Sequence, residues 1–113
     1  MTSDGCCGSE APLACDLGAI SAADRARYNE LRRMVAASVA GKRELPDGIA
    51  IQISTERIAL AQLAEWISFE RKCCPFFEFR IDVAAESGPV WLSLTGRAGV
   101  KEFLSQAFDG NSA

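Results

Sequence analysis

Residues 77–95 read FEFRIDVAAESGPVWLSLT and contain two stretches in which apolar and polar residues alternate. Residues 77–83 alternate Phe, Ile and Val with Glu, Arg and Asp, and residues 90–95 alternate Val and Leu with Trp, Ser and Thr. A period of two is typical of a β-strand with one buried face. The glycine and proline within residues 86–89 are typical of a turn. The segment therefore predicts a β-hairpin whose two strands turn their apolar faces towards a core.

Outside the hairpin, apolar residues recur at helical spacing in three segments. We expect the first helix to begin at Ser21, a favoured N-cap residue, and to end at Gly41. We expect Ser54 or Thr55 to cap the second helix. Pro75 should end that helix, because proline has no amide hydrogen to donate. The third helical segment follows the hairpin.

A further alternating segment, residues 49–53, lies between the first two helices and follows a turn at 45–48. Residues 13–17 are short and apolar, and we treat them as an optional first strand. The predicted order is (β)-α-β-α-β-β-α. We expect the strands at 49–53 and 77–83 to form a right-handed parallel crossover. The predicted fold class is α+β, with a small mixed three- to four-stranded sheet and helices packed on one of its faces.

The chain length of 113 residues is enough for one domain with a modest core. Residues 1–11 are mostly small and polar, and we expect them to form a flexible cysteine-containing arm. Residues 12–108 are predicted to form the single domain, and residues 109–113 a tail.

Composition excludes several classes of function. The net charge is −3 and the sequence has no cluster of basic residues, which argues against nucleic acid as a partner. We find no run of about 18 apolar residues, the length that a membrane span needs, and no signal-peptide pattern at the N-terminus. We therefore expect a cytoplasmic protein without a membrane partner, whose thiols are kept reduced.

The chain contains five cysteines and no histidine. Four of the cysteines form the adjacent pairs Cys6-Cys7 and Cys73-Cys74, and the fifth is Cys15. Adjacent cysteines are poor disulfide partners, because neighbouring α-carbons are about 3.8 Å apart and a disulfide prefers roughly 4.4–6.8 Å. The absence of histidine excludes zinc sites of the Cys/His kind and any Cys-His nucleophile pair. Sulfur, with carboxylate as the other available group, must supply the chemistry.

Cys73 is predicted to lie in the last turn of the second helix, on nearly the same face as Glu70 and Trp66. The negative end of the helix dipole raises the pKa of a thiol there, which disfavours a reactive thiolate. A bound cation would deprotonate the thiol outright, so the position favours a metal ligand. For Glu65 and Glu70 taken as a pair, the simplest interpretation is that they solvate a helix face.

We predict a metal site formed by Cys15, Cys73 and Cys74. A site with three thiolates suits soft ions such as Hg(II), As(III) or Cu(I), and a fourth ligand would suit Zn(II). Asp16, Glu70 or a water molecule could supply that fourth ligand. For Cys15, an ordinary buried strand position is an open alternative.

The resulting hypothesis is a small cytoplasmic protein that binds a soft metal ion or metalloid for sequestration or delivery. Cys6 and Cys7 would act as an accessory pair that captures the ion. The metal-binding hypothesis assigns no catalytic residue. Three alternatives stay open: a thiol redox enzyme or sensor, an organomercurial-processing enzyme using Cys73 and Cys74, and a structural or partner-binding module with packed cysteines. A homodimer whose two chains share a site is also open.

Four segments, LPDG at 45–48, ERKCCPF at 70–76, GPVWLSLTG at 88–96 and GVKEFL at 99–104, resemble a group of small uncharacterised bacterial proteins with an E-R-x-C-C-P-F motif. The resemblance spans residues 14–104 and implies an intact domain over that range. It implies no particular activity. Adjacent cysteines with a third nearby are also similar to those of arsenic metallochaperones and mercury-binding proteins, although the Gly-Met-x-Cys-x-x-Cys loop is missing here.

Overall fold

The structure, a computed structural model, describes the backbone of residues 17–109 and the side chains of residues 18–104. The described chain begins with a short 3-10 turn and continues with three α-helices and four β-strands. In chain order these are the turn Leu17–Ala19, α1 (Ala22–Ala37), β1 (Val39–Leu45), β2 (Gly48–Ile53), α2 (Leu60–Cys73), β3 (Glu78–Val83), β4 (Val90–Thr95) and α3 (Val100–Asp109). The predicted arm and most of the optional first strand lie outside the described residues.

The four strands form one sheet in the order β1-β2-β4-β3, and each neighbouring pair is antiparallel. The α+β class and the packing of helices against the sheet are confirmed. The mixed sheet is wrong: β2 and β3 run in the same direction, but β4 lies between them. The burial of the strands explains this order, because β4 buries alternate residues along its whole length, whereas β3 carries exposed charged residues that suit an edge.

The first helix begins as predicted but ends early. The Ser21 side chain accepts a hydrogen bond from the Asp24 amide at 3.2 Å and caps α1. The helix ends at Ala37 rather than at Gly41, because β1 follows almost at once and pairs with β2. The residues of β1 are exposed or half-buried throughout. An edge strand of this kind has no apolar alternation, so the sequence pattern carried no signal for it.

The second helix begins later than predicted. Its N-cap is Ala59, so the predicted cap at Ser54 or Thr55 is wrong. Ser54 instead begins a turn in which its carbonyl oxygen accepts hydrogen bonds from two following amides. The other end agrees with the sequence, since α2 stops at Cys73, two residues before Pro75.

The core lies between the helices and one face of the sheet. The register places Ile51 of β2 opposite Leu92 of β4, and Leu92 opposite Ile81 of β3, so that one apolar row crosses three strands. Alternate residues point to the other face, where Gln52 and Trp91 are only half-buried. The buried residues that the sheet and helices contribute include Ile49, Ile53, Val90 and Leu94 from the strands and Leu31, Val35, Leu63, Val100 and Leu104 from the helices.

We predict that Gly48→Ala destabilises the fold by about 1–3 kcal/mol, the usual range for forcing an extra methyl group into a packed site. A Cβ on Gly48 would overlap the backbone oxygen of Leu94 on the neighbouring strand, and backbone cannot move aside cheaply. Urea denaturation measures the change. Gly41→Ala is the matched control, because its Cβ would lie 3.2 Å from Oε1 of the flexible Gln52 side chain. Equal stability of the two variants would contradict this account of the β2–β4 contact.

Candidate metal site

Helix α2 directs Trp66, Glu70 and Cys73 into the core. The three residues are four and then three positions apart, which places them on one face of a helix. Their exposed fractions are 4%, 6% and 0%, respectively. A glutamate is almost never fully buried without a partner, and among the described residues the buried polar or charged ones are Ser38 and Glu70. Glu70 is therefore the residue in this core that most needs a physical explanation.

The side chains of Cys73 and Cys74 converge, although adjacent side chains normally diverge. Cys73 is the last residue of α2, and Cys74 leaves the helix with φ −132° and ψ 69°. This change of backbone direction turns the second side chain towards the first. Both residues are 0% exposed, and their sulfur atoms lie 3.7 Å apart.

Tyr28 of α1 completes the cluster from the opposite side. Its hydroxyl donates a hydrogen bond of 2.6 Å to Oε2 of Glu70 and lies 3.9 Å from the Cys73 sulfur. The Cys73 thiol in turn lies 3.9 Å from Oε1 of Glu70. These contacts give the buried carboxyl a partner at each oxygen, which offsets part of the loss of hydration.

The ligand atoms of Glu70, Cys73 and Cys74 all lie within 4.8 Å of one another. Two sulfur atoms and a carboxylate oxygen at such separations form a group that could hold a metal ion. Trp66, one turn before Glu70, has a buried indole nitrogen with no hydrogen-bond partner among the described residues. The cluster is therefore a concentration of polar groups in an otherwise apolar core.

Burial governs the protonation of these groups. It raises the pKa of the Cys73 thiol to about 11, with the neighbouring Glu70 as the next cause. Loss of hydration likewise raises the pKa of the Glu70 carboxyl, against the hydrogen bond from Tyr28, which lowers it. Burial raises the pKa of Tyr28 above its usual value, and the hydrogen bond with Glu70 raises it further. Without a bound cation, the cluster therefore favours its protonated forms.

The two adjacent cysteines differ in oxidation state. Cys73 is a free thiol, whereas Cys74 is disulfide-bonded. Reduction of the disulfide is needed before Cys74 can act as a thiolate ligand.

Several predicted site residues lie outside the described part of the chain. These are Cys6, Cys7, Cys15 and Asp16, and their roles stay predictions. Among the described ones, Glu70, Cys73 and Cys74 are brought together.

The interpretation that Glu65 and Glu70 both solvate a helix face is wrong for Glu70, whose position on the apolar stripe of α2 was the available signal. Glu65 does lie at the surface, paired with Arg27 at 2.7 Å. No sequence pattern indicated that Tyr28 belongs to the site, since a tyrosine ring on the buried face of a helix is ordinary.

Comparison of the chain with protein-family models, with curated proteins and with solved structures found no match. The resemblance based on E-R-x-C-C-P-F stays a prediction. Within residues 17–109, no helix combines the length and the apolar character needed to cross a membrane.

We predict that Glu70 makes the metal-free protein less stable as the pH rises. Its raised pKa means that the folded state holds the proton more tightly than the unfolded chain does. The stabilising effect is therefore complete below the usual carboxyl pKa of 4.5 and is lost as the pH rises through the raised value. Urea denaturation across this pH range measures the free energy of unfolding of wild type and of Glu70→Gln. The difference between the two should fall by about 1.4 kcal/mol for each unit by which folding raises the pKa of Glu70.

Glu65→Gln is the matched control on the same helix. The Arg27 guanidinium holds the pKa of Glu65 below its usual value, so its effect has the opposite sign and is lost as the pH falls. A stability difference between wild type and Glu70→Gln that did not change with pH would contradict the account of Glu70 as a buried, protonated carboxyl.

Proposed function

We propose that this protein binds a soft metal ion or metalloid through Cys73 and Cys74, with the Glu70 carboxylate as a third ligand, and that its role is sequestration or delivery. The observation that carries the proposal is the burial of two cysteine sulfurs and a carboxylate within 4.8 Å of one another in an apolar core. Cysteines alone are common in a core, but a core that only needed filling would not place a glutamate beside them.

The separations agree with a shared ion. Two sulfur atoms bound to one tetrahedral zinc at about 2.3 Å each are about 3.8 Å apart, and Cys73 and Cys74 are separated by 3.7 Å. A sulfur and an oxygen on the same ion would be about 3.6 Å apart, and the separation between Cys73 and Glu70 is 3.9 Å. The third separation, between the Cys74 sulfur and the Glu70 carboxylate, is at most 4.8 Å.

The electrostatics of the cluster favour a cation over a free thiolate. Burial holds the Cys73 thiol protonated at neutral pH, with a pKa of about 11, so the thiol is a weak nucleophile. A bound cation stabilises the thiolate directly and displaces the proton. The same environment that makes Cys73 unreactive in the free protein therefore becomes a coordinating one when an ion enters.

The remaining predicted residues extend the proposal. Cys15 would add a third thiolate and Asp16 an alternative oxygen ligand, while Cys6 and Cys7 would capture the ion and pass it on by ligand exchange. A cytoplasmic location would keep the thiols reduced and available. Hg(II), Cu(I), As(III) and Zn(II) are the ions to test.

A second candidate, a thiol redox role, is favoured by one observation. Cys74 is disulfide-bonded while the free Cys73 thiol lies 3.7 Å away. If the Cys73 thiol ionised, its attack on the Cys74 sulfur would form a Cys73–Cys74 disulfide and release the former partner of Cys74 as a thiolate. The geometry of adjacent cysteines disfavours that product. The raised pKa of Cys73 opposes that ionisation, which is why we place metal binding first.

We expect reduced wild-type protein to bind one ion per chain, and Cys73→Ser and Cys74→Ser each to weaken the binding by at least about 100-fold, because loss of a ligand exceeds the 10–100-fold effect of losing a supporting residue. Native mass spectrometry of anaerobically reduced protein, titrated with Hg(II), Cu(I), As(III) and Zn(II), measures the number of ions bound per chain and the loss of affinity in the variants.

Val35→Thr is the control for that titration. Val35 is 2% exposed in the same core, so the variant introduces a hydroxyl into the interior without removing a ligand, and it should bind as the wild type does. Serine variants that bind every ion as tightly as the wild type would rule out the metal site.

The redox candidate makes a different prediction for the Cys73 thiol. A site built for metal binding should leave Cys73 slow to react with iodoacetamide at pH 8 in folded, metal-free protein, because the thiolate is scarce there. Mass spectrometry of alkylated peptides, with urea-unfolded protein as the reference, measures the ratio of rates. Equal or faster reaction in the folded state would shift the assignment to redox chemistry.

A further inference from the structure

The two oxygens of Glu70 have different surroundings. Oε2 accepts the 2.6 Å hydrogen bond from Tyr28, whereas Oε1 faces the Cys73 sulfur at 3.9 Å. Tyr28 is itself held in place, since it is 3% exposed and its ring lies edge-on to Phe69 with 6.0 Å between centroids. One oxygen of the carboxyl group is thus held by the Tyr28 hydroxyl, and the other faces the Cys73 sulfur.

We propose that Tyr28 is a positioning residue that presents Oε1 of Glu70 as an oxygen ligand, and that this ligand raises the affinity of the site for a borderline divalent cation such as Zn(II) relative to monovalent Cu(I). This inference rests on the proposed function, because it requires Cys73 and Cys74 to bind an ion. It narrows the ligand class from any thiophilic ion to a cation that uses sulfur and oxygen together.

Ligand preference supports that difference in affinity. Zn(II) binds cysteine sulfur and carboxylate oxygen alike and prefers four ligands. Cu(I) is selected by soft thiolate and thioether ligands. The Glu70 oxygen therefore adds affinity for Zn(II) and contributes little to Cu(I), which the two cysteine sulfurs already satisfy.

Charge supports it as well. Two thiolates and one carboxylate carry three negative charges, so the loaded site has one net negative charge with Zn(II) and two with Cu(I). The site is buried, and an uncompensated charge in a protein interior is costly. The carboxylate thus favours the divalent cation through both its chemistry and its charge.

The hydrogen bond from Tyr28 supplies the geometry. A glutamate side chain has three rotatable bonds, and ordering it costs conformational entropy unless another contact already fixes it. Groups that orient a ligand in this way typically change metal affinity by 10–100-fold. Tyr28 holds Oε2 through its hydroxyl while its ring packs in the core, so Tyr28→Phe removes the orienting contact and keeps the packing.

The experiment titrates reduced wild type, Tyr28→Phe and Glu70→Gln with Zn(II) and with Cu(I), each in competition with a chelator of known affinity. We expect Tyr28→Phe to lower the Zn(II) affinity by about 10–100-fold and Glu70→Gln to lower it at least as far. The Cu(I) affinity of both variants should fall by much less than the Zn(II) affinity. Glu70→Gln keeps the shape of the side chain, so it provides the selectivity test even if Tyr28→Phe does not fold.

Ser38→Ala controls for the loss of a buried hydrogen bond in the same part of the fold. Ser38 follows α1, is 1% exposed and donates to the Val35 carbonyl at 2.8 Å, and it lies about 15 Å along the helix axis from Tyr28. Ser38→Ala should leave the Zn(II) and Cu(I) affinities unchanged.

The outcomes separate this inference from the function on which it rests. Equal losses for Zn(II) and Cu(I) in Tyr28→Phe, or a matching loss in Ser38→Ala, would mean that Tyr28 acts only through stability and would overturn the inference. Unchanged Zn(II) affinity in either Tyr28→Phe or Glu70→Gln would also overturn it. Zn(II) binding by the wild type would then leave the proposed function intact. Wild-type protein that bound neither ion would overturn both.

Discussion

The register between the two central strands is the constraint on which the rest of the structure depends. Antiparallel pairing sets Ile49 opposite Leu94, and Ile51 opposite Leu92, so that every large aliphatic residue of β2 and β4 faces the helices. Side chains alternate along a strand, and a slip of one residue would therefore turn this whole set towards solvent. The close approach at Gly48 belongs to the same pairing, because the two backbones can meet there only without a side chain.

The apolar face of the sheet determines which side of α2 packs against it. The helix must cover the sheet with Leu63 and its neighbours, and helical spacing then directs Trp66, Glu70 and Cys73 into the same layer. The carboxyl of Glu70 enters the core because of its position in the helix. Packing of α1 against α2 brings the donor that the carboxyl needs, the Tyr28 hydroxyl. The site is thus a direct consequence of how the layers pack.

Local patterns in the sequence predicted most of the elements. The hairpin of β3 and β4, the start of α1 and the end of α2 follow from alternation, a capping serine and Pro75, all of which act over a few residues. Strand β1 was missed because an edge strand exposed on both faces has no such pattern. The strand order was missed for a different reason: whether β4 pairs with β2 depends on contacts across roughly 40 residues of chain, which local periodicity does not encode.

The residues of the site also fall into two groups, those that the local sequence predicts and one that it does not. Glu70, Cys73 and Cys74 are close in sequence, and the geometry of one helix end is enough to predict that they lie together. Tyr28 is 42 residues from Glu70, and a tyrosine on the buried face of a helix is ordinary, so nothing in the sequence distinguished its hydroxyl as the partner of a carboxyl. The partner became identifiable only when the packing of α1 on α2 was known.

Among the described residues, the clearest departure from an apolar core is the cluster around Glu70. Burying a carboxyl is unfavourable unless it is paired, and the hydrogen bond from Tyr28 offsets that cost only in part, as the raised pKa of Glu70 indicates. An apolar residue at position 70 would make a simpler core. Departures of this kind are expected at functional sites, and a cation shared by Glu70 and the two cysteines would offset part of this cost by compensating the negative charge of the carboxylate.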